Sequence, residues 1–118
     1  MHELSLVRAL LTQVDQILDE HTATKAAGVE VEIGPLSGVE IELVRSAFDQ
    51  LATASRSDGA TLSIQEAPLV IECLECGCES KLQQFVFRCT ECDSGRVRVI
   101  RGDEFRLLSV TIEESVHA

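Results

Sequence analysis

Two Cys-x-x-Cys pairs, Cys73/Cys76 and Cys89/Cys92, enclose twelve residues and constrain this chain more than any other feature. Each pair presents two thiolates from one tight turn, and two such turns facing each other close a tetrahedral metal site. Four soft donors suit Zn²⁺ or an Fe–S type iron, and a rubredoxin-like iron stays open as the alternative to zinc. A site with four protein ligands holds structure and does not activate water. The pairs therefore predict a small metal-stapled module. Cys78, two residues beyond Cys76, is a fifth cysteine read as an uncommitted thiol on the knuckle loop. An odd count with four in metal spacing argues for a reducing compartment, the cytoplasm, over a disulfide framework.

The rest of the pattern is α/β. Leu4, Val7, Leu11, Val14 and Leu18 recur at three- and four-residue steps and predict an amphipathic helix to about Glu20. His21 follows, where a protonated imidazole would favour the helix dipole. Val29, Val31 and Ile33 alternate with Glu30 and Glu32 as a strand with one wet face. The turn Gly34-Pro35-Leu36 leads to Ser37 and Glu40, which have the spacing of a capping box. A second helix then carries Ile41, Val44, Phe48 and Leu51 on its buried stripe. Leu62 and Ile64 mark a second strand, and Leu108, Val110 and Ile112 a last one. Inside the cysteine module, Phe85-Val86-Phe87 and Val97/Val99 read as short ribbon strands.

One closing strand after the module makes the module an insertion. The expected fold is α+β: a small two-layer α/β domain, two helices on a three-stranded sheet, with an inserted zinc ribbon. The domains are expected at 1–67 with 107–118, and at 68–106.

Charge and composition narrow the function. The formal net charge is −10, with seven acids against six bases from Leu69 to Arg106 and thirteen against four elsewhere. Such acidity repels phosphate backbones and favours cations and proteins as partners. Runs such as Pro68-Leu69-Val70-Ile71 are far too short to span a bilayer, and no signal peptide is read at the start, so no membrane is expected. No Ser/His/Asp or Cys/His constellation can be argued, which excludes an enzyme. Gly34–Gly38 lacks a P-loop lysine and reads as a turn. Arg88, Arg96, Arg98, Arg101 and Arg106 gather on the ribbon. They are either a solvated face balanced by local acids or a docking patch, and the second option keeps a rival function open: a zinc-ribbon adaptor for a protein or nucleic acid.

The chain begins Met1-His2-Glu3. The Met1 α-amine, the His2 amide nitrogen and its imidazole can form fused chelate rings in one plane, a geometry suited to Ni²⁺ or Cu²⁺, with Glu3 beside them. The alternative is an ordinary solvated histidine. His117, near the other end, is a candidate extra donor.

Start, middle and end together resemble the hydrogenase maturation nickel metallochaperones, the HypA/HybF family. The matching pieces are Met1-His2-Glu3-Leu4-Ser5-Leu6, Val31-Glu-Ile-Gly-Pro-Leu-Ser-Gly-Val39, Ala47-Phe48, the two knuckles, and Gly102-Asp-Glu-Phe-Arg-Leu-Leu-Ser-Val110. The resemblance implies a nickel-delivery protein with two metal sites. Ni(II) cargo would sit at His2 with Met1 and Glu3, and structural Zn(II) at Cys73, Cys76, Cys89 and Cys92. It implies as partners a nickel-handling GTPase, the large subunit of [NiFe]-hydrogenase and, in some members, the urease accessory proteins. The second knuckle departs from the family's Cys-Pro-x-Cys-Gly-Ser, reading Cys89-Thr-Glu-Cys92-Asp-Ser.

Overall fold

The computed structural model describes residues 2–113; Met1 and His117 lie outside the described residues. The elements run α1 (His2–Glu20), β1 (Ala26–Ile33), α2 (Ile41–Ala52), β2 (Thr61–Glu66), β3 (Leu69–Cys73), β4 (Glu79–Leu82), β5 (Val97–Arg101) and β6 (Phe105–Ile112). The fold is α+β, with two helices and two three-stranded sheets ordered β2-β1-β6 and β4-β3-β5. The chain divides into two compact units.

The first unit comprises Met1–Glu32, Val39–Gln65 and Arg106–Ala118. Its core is aliphatic because the helices place apolar residues three and four apart: Val7, Leu10, Leu11, Val14 and Leu18 of α1, with Val44, Ala47 and Phe48 of α2. From β1 come Val29 and Val31, alternating with half-buried Gly28, Glu30 and Glu32. The α1 C-terminus is closed by the residue that follows it, the His21 Nδ1 lying 2.9 Å from the Ile17 carbonyl. Arg56 ties this end down. Its guanidinium donates to the carbonyls of Ala23 (2.6 Å) and Thr24 (3.1 Å) and pairs with Asp19 at 2.7 Å. In β6 the alternation slips: Leu107, Val110 and Ile112 are half-buried, while Leu108 and Ser109 are both exposed. Leu108 is thus not the inward residue that its spacing to Val110 predicts.

The second unit comprises Ile33–Gly38 and Glu66–Phe105. Segment 33–38, placed by its sequence position before α2 with the first unit, clusters here through backbone hydrogen bonds. The Ala67 amide donates to the Ile33 carbonyl (2.9 Å), Gly34 to Glu104 (2.8 Å) and Leu36 to Gly102 (2.6 Å). A Cβ at Gly34 would collide with the Gly102 carbonyl, so this close approach requires glycine. Central strand β3 buries Leu69, Ile71 and Cys73 on alternate positions. It pairs antiparallel with β4 on one side and β5 on the other.

Two sequence expectations are corrected here. Phe85-Val86-Phe87 forms no strand and is exposed, lying outside the three-stranded sheet β4-β3-β5. The Ser37/Glu40 capping box does not form either. Gly38 takes a left-handed φ of +82°, which turns the chain before the helix and moves the N-cap to Glu40. The buried Ser37 hydroxyl has no hydrogen-bond partner, and Glu40 makes no side-chain cap bond.

Candidate metal centre

Both knuckles fold by the same local rule. In the first, the Cys73 amide donates to the Cys78 carbonyl (2.9 Å) and the Gly77 amide to the Cys73 carbonyl (3.0 Å). In the second, Cys89 donates to Ser94 (2.9 Å) and Asp93 to Cys89 (2.9 Å). The matching fourth positions, Gly77 (φ +77°) and Asp93 (φ +61°), are both left-handed. Asp is among the few side chains that tolerate this region, so the departure from glycine leaves the turn intact.

These turns aim amides at sulfur. Cys73 Sγ accepts from the amides of Glu75 and Cys76 (both 3.4 Å), and Cys89 Sγ from that of Glu91 (3.4 Å). The amide of Cys76 leads in holding the Cys73 thiol down at about 6, against burial. The amides of Cys92 and Glu91 lower Cys89 likewise. For Cys76, the Cys78 amide pulls the thiol down, but the Cys89 sulfur and burial push it up by more. For Cys92, the Ser94 amide is likewise outweighed by the Cys73 sulfur and burial. The first cysteine of each pair thus favours the thiolate, and the second the thiol.

The four Sγ atoms all lie within 4.8 Å of one another, with Cys73–Cys92 at 3.6 Å and Cys76–Cys89 at 3.5 Å. Zinc–sulfur bonds of about 2.3 Å in a tetrahedron put sulfurs roughly 3.8 Å apart. The donor set therefore fits a closed zinc site, in which a bound ion supplies structure and no reactive position. Cys78 is exposed and stands outside the cluster.

The predicted amino-terminal donors are placed in part. Helix α1 starts at His2, and Glu3 lies in its first turn. The Glu3 Oε2 accepts from the Glu40 amide at 3.4 Å, so a carboxylate from α1 occupies the α2 N-cap that Ser37 leaves open. Proximity of Glu3 and Glu40 is a tertiary fact with no signal in the local sequence.

The ribbon arginines face acids. Pairs form between Arg88 and Asp93 (3.4 Å), Arg96 and Glu75 (3.6 Å), Arg98 and Glu72 (2.6 Å), and Arg101 and Glu104 (3.3 Å). Arg106, in the first unit, meets Glu32 at 2.8 Å. No described helix is long and apolar enough to cross a membrane.

A small α/β unit and a ribbon that gathers four cysteine sulfurs define a protein with a candidate structural metal site. Comparison with known proteins supplies the rest. Residues 1–112 match the family described as "Hydrogenase/urease nickel incorporation, metallochaperone, hypA". The chain is 41% identical over 112 residues to hydrogenase maturation factor HypA of Nitrosospira multiformis, covering 95% of this chain and 97% of that one. It is 37% identical over 115 residues to HypA of Shewanella baltica, covering 98% of each. Among solved structures it resembles the solution structure of the Ni metallochaperone HypA from Helicobacter pylori. There the TM-score is 0.70 at 29% identity, covering 93% of this chain and 96% of that one. A second HypA solution structure gives a TM-score of 0.74 at 30% identity, covering 96% and 97%. The chain belongs to the HypA family and is a nickel metallochaperone of hydrogenase maturation.

Proposed function

We propose that this metallochaperone carries Ni(II) at its amino terminus, through the Met1 amine, the His2 amide nitrogen and imidazole, and Glu3, while Cys73, Cys76, Cys89 and Cys92 hold Zn(II). The carrying observation is that α1 begins at His2. The amides of a helix's first turn have no intrahelical acceptor, so the His2 nitrogen is not committed to the helix ladder. The α-amine precedes it directly. A cation at a helix N-terminus opposes the dipole, and the Glu3 carboxylate in the first turn offsets that cost. Few protein ligands leave coordination positions through which an acceptor can take the metal. The activity is binding and hand-over without catalysis.

On this reading the protein works in the cytoplasm, where thiols stay reduced. Its partners are the nickel-handling GTPase of hydrogenase maturation and the [NiFe]-hydrogenase large subunit, with urease accessory proteins as a second destination. The arginine pairings weigh against the nucleic-acid adaptor, since each cation that reading needs already faces a carboxylate.

Nickel calorimetry on zinc-loaded protein with its native start tests the site, alongside a variant with one glycine inserted between Met1 and His2. Binding of a single nickel that is lost in the insertion variant is the expected result. Equal binding in both would remove the amino-terminal site. Because the α-amine must be deprotonated, with an ordinary pKa of about 7.7–8.0, nickel affinity rises with pH through that range.

A further inference from the structure

The two knuckles are alike in their internal hydrogen bonds but differ in what anchors them. In the first, the residue after the leading cysteine is Leu74, and its amide donates to the Arg96 carbonyl at 2.8 Å. Backbone meets backbone there, beside the β3–β5 ladder that pairs Cys73 with Val97. In the second, the equivalent residue is Thr90, and its amide donates to the Ser80 hydroxyl oxygen at 3.3 Å. The two hydroxyls share a second hydrogen bond at 2.9 Å. Ser80 lies in β4 opposite Ile71 and is only 4% exposed. A buried hydroxyl needs partners, and Thr90 supplies both of these bonds.

The chain of connection is short. Strand β3 ends in Cys73, β4 pairs with β3, Ser80 projects from β4 to Thr90, and Thr90 adjoins buried Cys89. One knuckle is therefore set by the sheet's own backbone. The other is set against that sheet by a removable pair of side chains.

We propose that Ser80 and Thr90 are positioning residues for the metal cage, holding Cys89 and Cys92 in register with Cys73 and Cys76 and so setting how readily the second knuckle opens. The proposal rests on the reading that the four cysteines bind zinc. Neither hydroxyl is a ligand; both act through the backbone of the knuckle. Partners outside the ligand shell typically change metal affinity by about 10–100-fold, and an anchor one residue from the ligand belongs near the lower end.

The test compares zinc-loaded wild-type protein with Ser80→Ala, Thr90→Val and Thr90→Ser under a chelator challenge. Zinc release is followed together with the order in which the cysteines become alkylated, read by peptide mass spectrometry. Roughly tenfold faster release is expected in Ser80→Ala, with Cys89 and Cys92 alkylated ahead of Cys73 and Cys76. Thr90→Val should shift the same way, and Thr90→Ser, which keeps amide and hydroxyl, should behave as wild type. A general loss of structure would expose all four thiols together, so simultaneous alkylation of the two pairs in the variants overturns the proposal, as does unchanged release. Should Ser80→Ala fail to fold, Thr90→Val against Thr90→Ser decides the matter alone. Wild-type protein that binds no zinc through these thiols would refute the metal reading itself, a distinct outcome.

Discussion

Stripping the zinc should unfold the second unit and leave the first standing. The reason is the distribution of buried apolar side chains. Among the described residues, the first unit buries Val7, Leu10, Leu11, Val14, Leu18, Val29, Val31, Val44 and Phe48. The second buries, besides cysteine and alanine, only Ile33, Leu69 and Ile71. At about 1.5–3 kcal/mol each, these three contribute on the order of 5–9 kcal/mol. A structural zinc contributes about 10–16 kcal/mol to folding a small module, so the metal outweighs the apolar core it accompanies. Ordering the backbone alone costs roughly 1–2 kcal/mol per residue, which so few apolar side chains do not offset. The assay is amide hydrogen exchange on the whole chain before and after removal of zinc with a chelator under reducing conditions, with metal content checked directly. Amides of Cys73, Leu74, Gly77, Cys89 and Asp93 should lose protection, while those in the middle of α1 and α2 keep theirs. Retained protection through β3–β5 in verified zinc-free protein would refute the reasoning.

Three further predictions concern single residues. Burial pushes the Glu104 carboxyl up, but the amides of Glu104 itself and Gly102, with the Arg101 guanidinium, hold it below its ordinary value. A lowered folded pKa contributes stability that is present above the unfolded value, near 4.3, and is lost as pH falls through the folded one; Glu104→Gln should flatten that acid limb in pH-dependent exchange of the second unit. At Asp93, left-handed at φ +61°, Asp93→Gly should be close to neutral and Asp93→Val should cost about 1–2 kcal/mol, measured by chelator resistance of the zinc-loaded protein. Arg56→Ala removes the tie between the guanidinium and the Ala23 and Thr24 carbonyls. With the side chain about one-third exposed, the loss should be about 1–2 kcal/mol, seen as a lower melting temperature of the first unit. Arg56→Lys should not restore it, because an ammonium lacks the planar fork.

What the sequence by itself determined is what depends on near neighbours. The 3.6-residue period of Leu4 to Leu18 specifies α1, the alternation of Val29, Val31 and Ile33 specifies β1, and the Cys-x-x-Cys spacing specifies two knuckles. Each is legible because helix, strand and metal turn are short-range geometries, readable from residues a few positions apart. His21 belongs with them, since its ring caps a carbonyl four residues back. The family resemblance rested on the same local motifs, strung in order along the chain.

The tertiary structure decided whatever depends on which surface another segment occupies. Phe85-Val86-Phe87 has the pattern of a strand and none of the pairing, since the folded sheet is made of β4, β3 and β5 alone. Ser37 has the spacing of a cap, yet Gly38 turns the chain away and the Glu3 carboxylate, thirty-seven residues from Glu40, takes the place instead. Leu108 is apolar and exposed, out of phase with its strand. Segment 33–38 joins the ribbon unit through carbonyls at positions 102 and 104. Ser80 and Thr90 become partners for the same reason, across ten residues and a loop. Hydrogen-bonding capacity is written in the sequence, but a donor's partner is set by which acceptor the folded chain brings within about 3 Å, and that is a property of the whole.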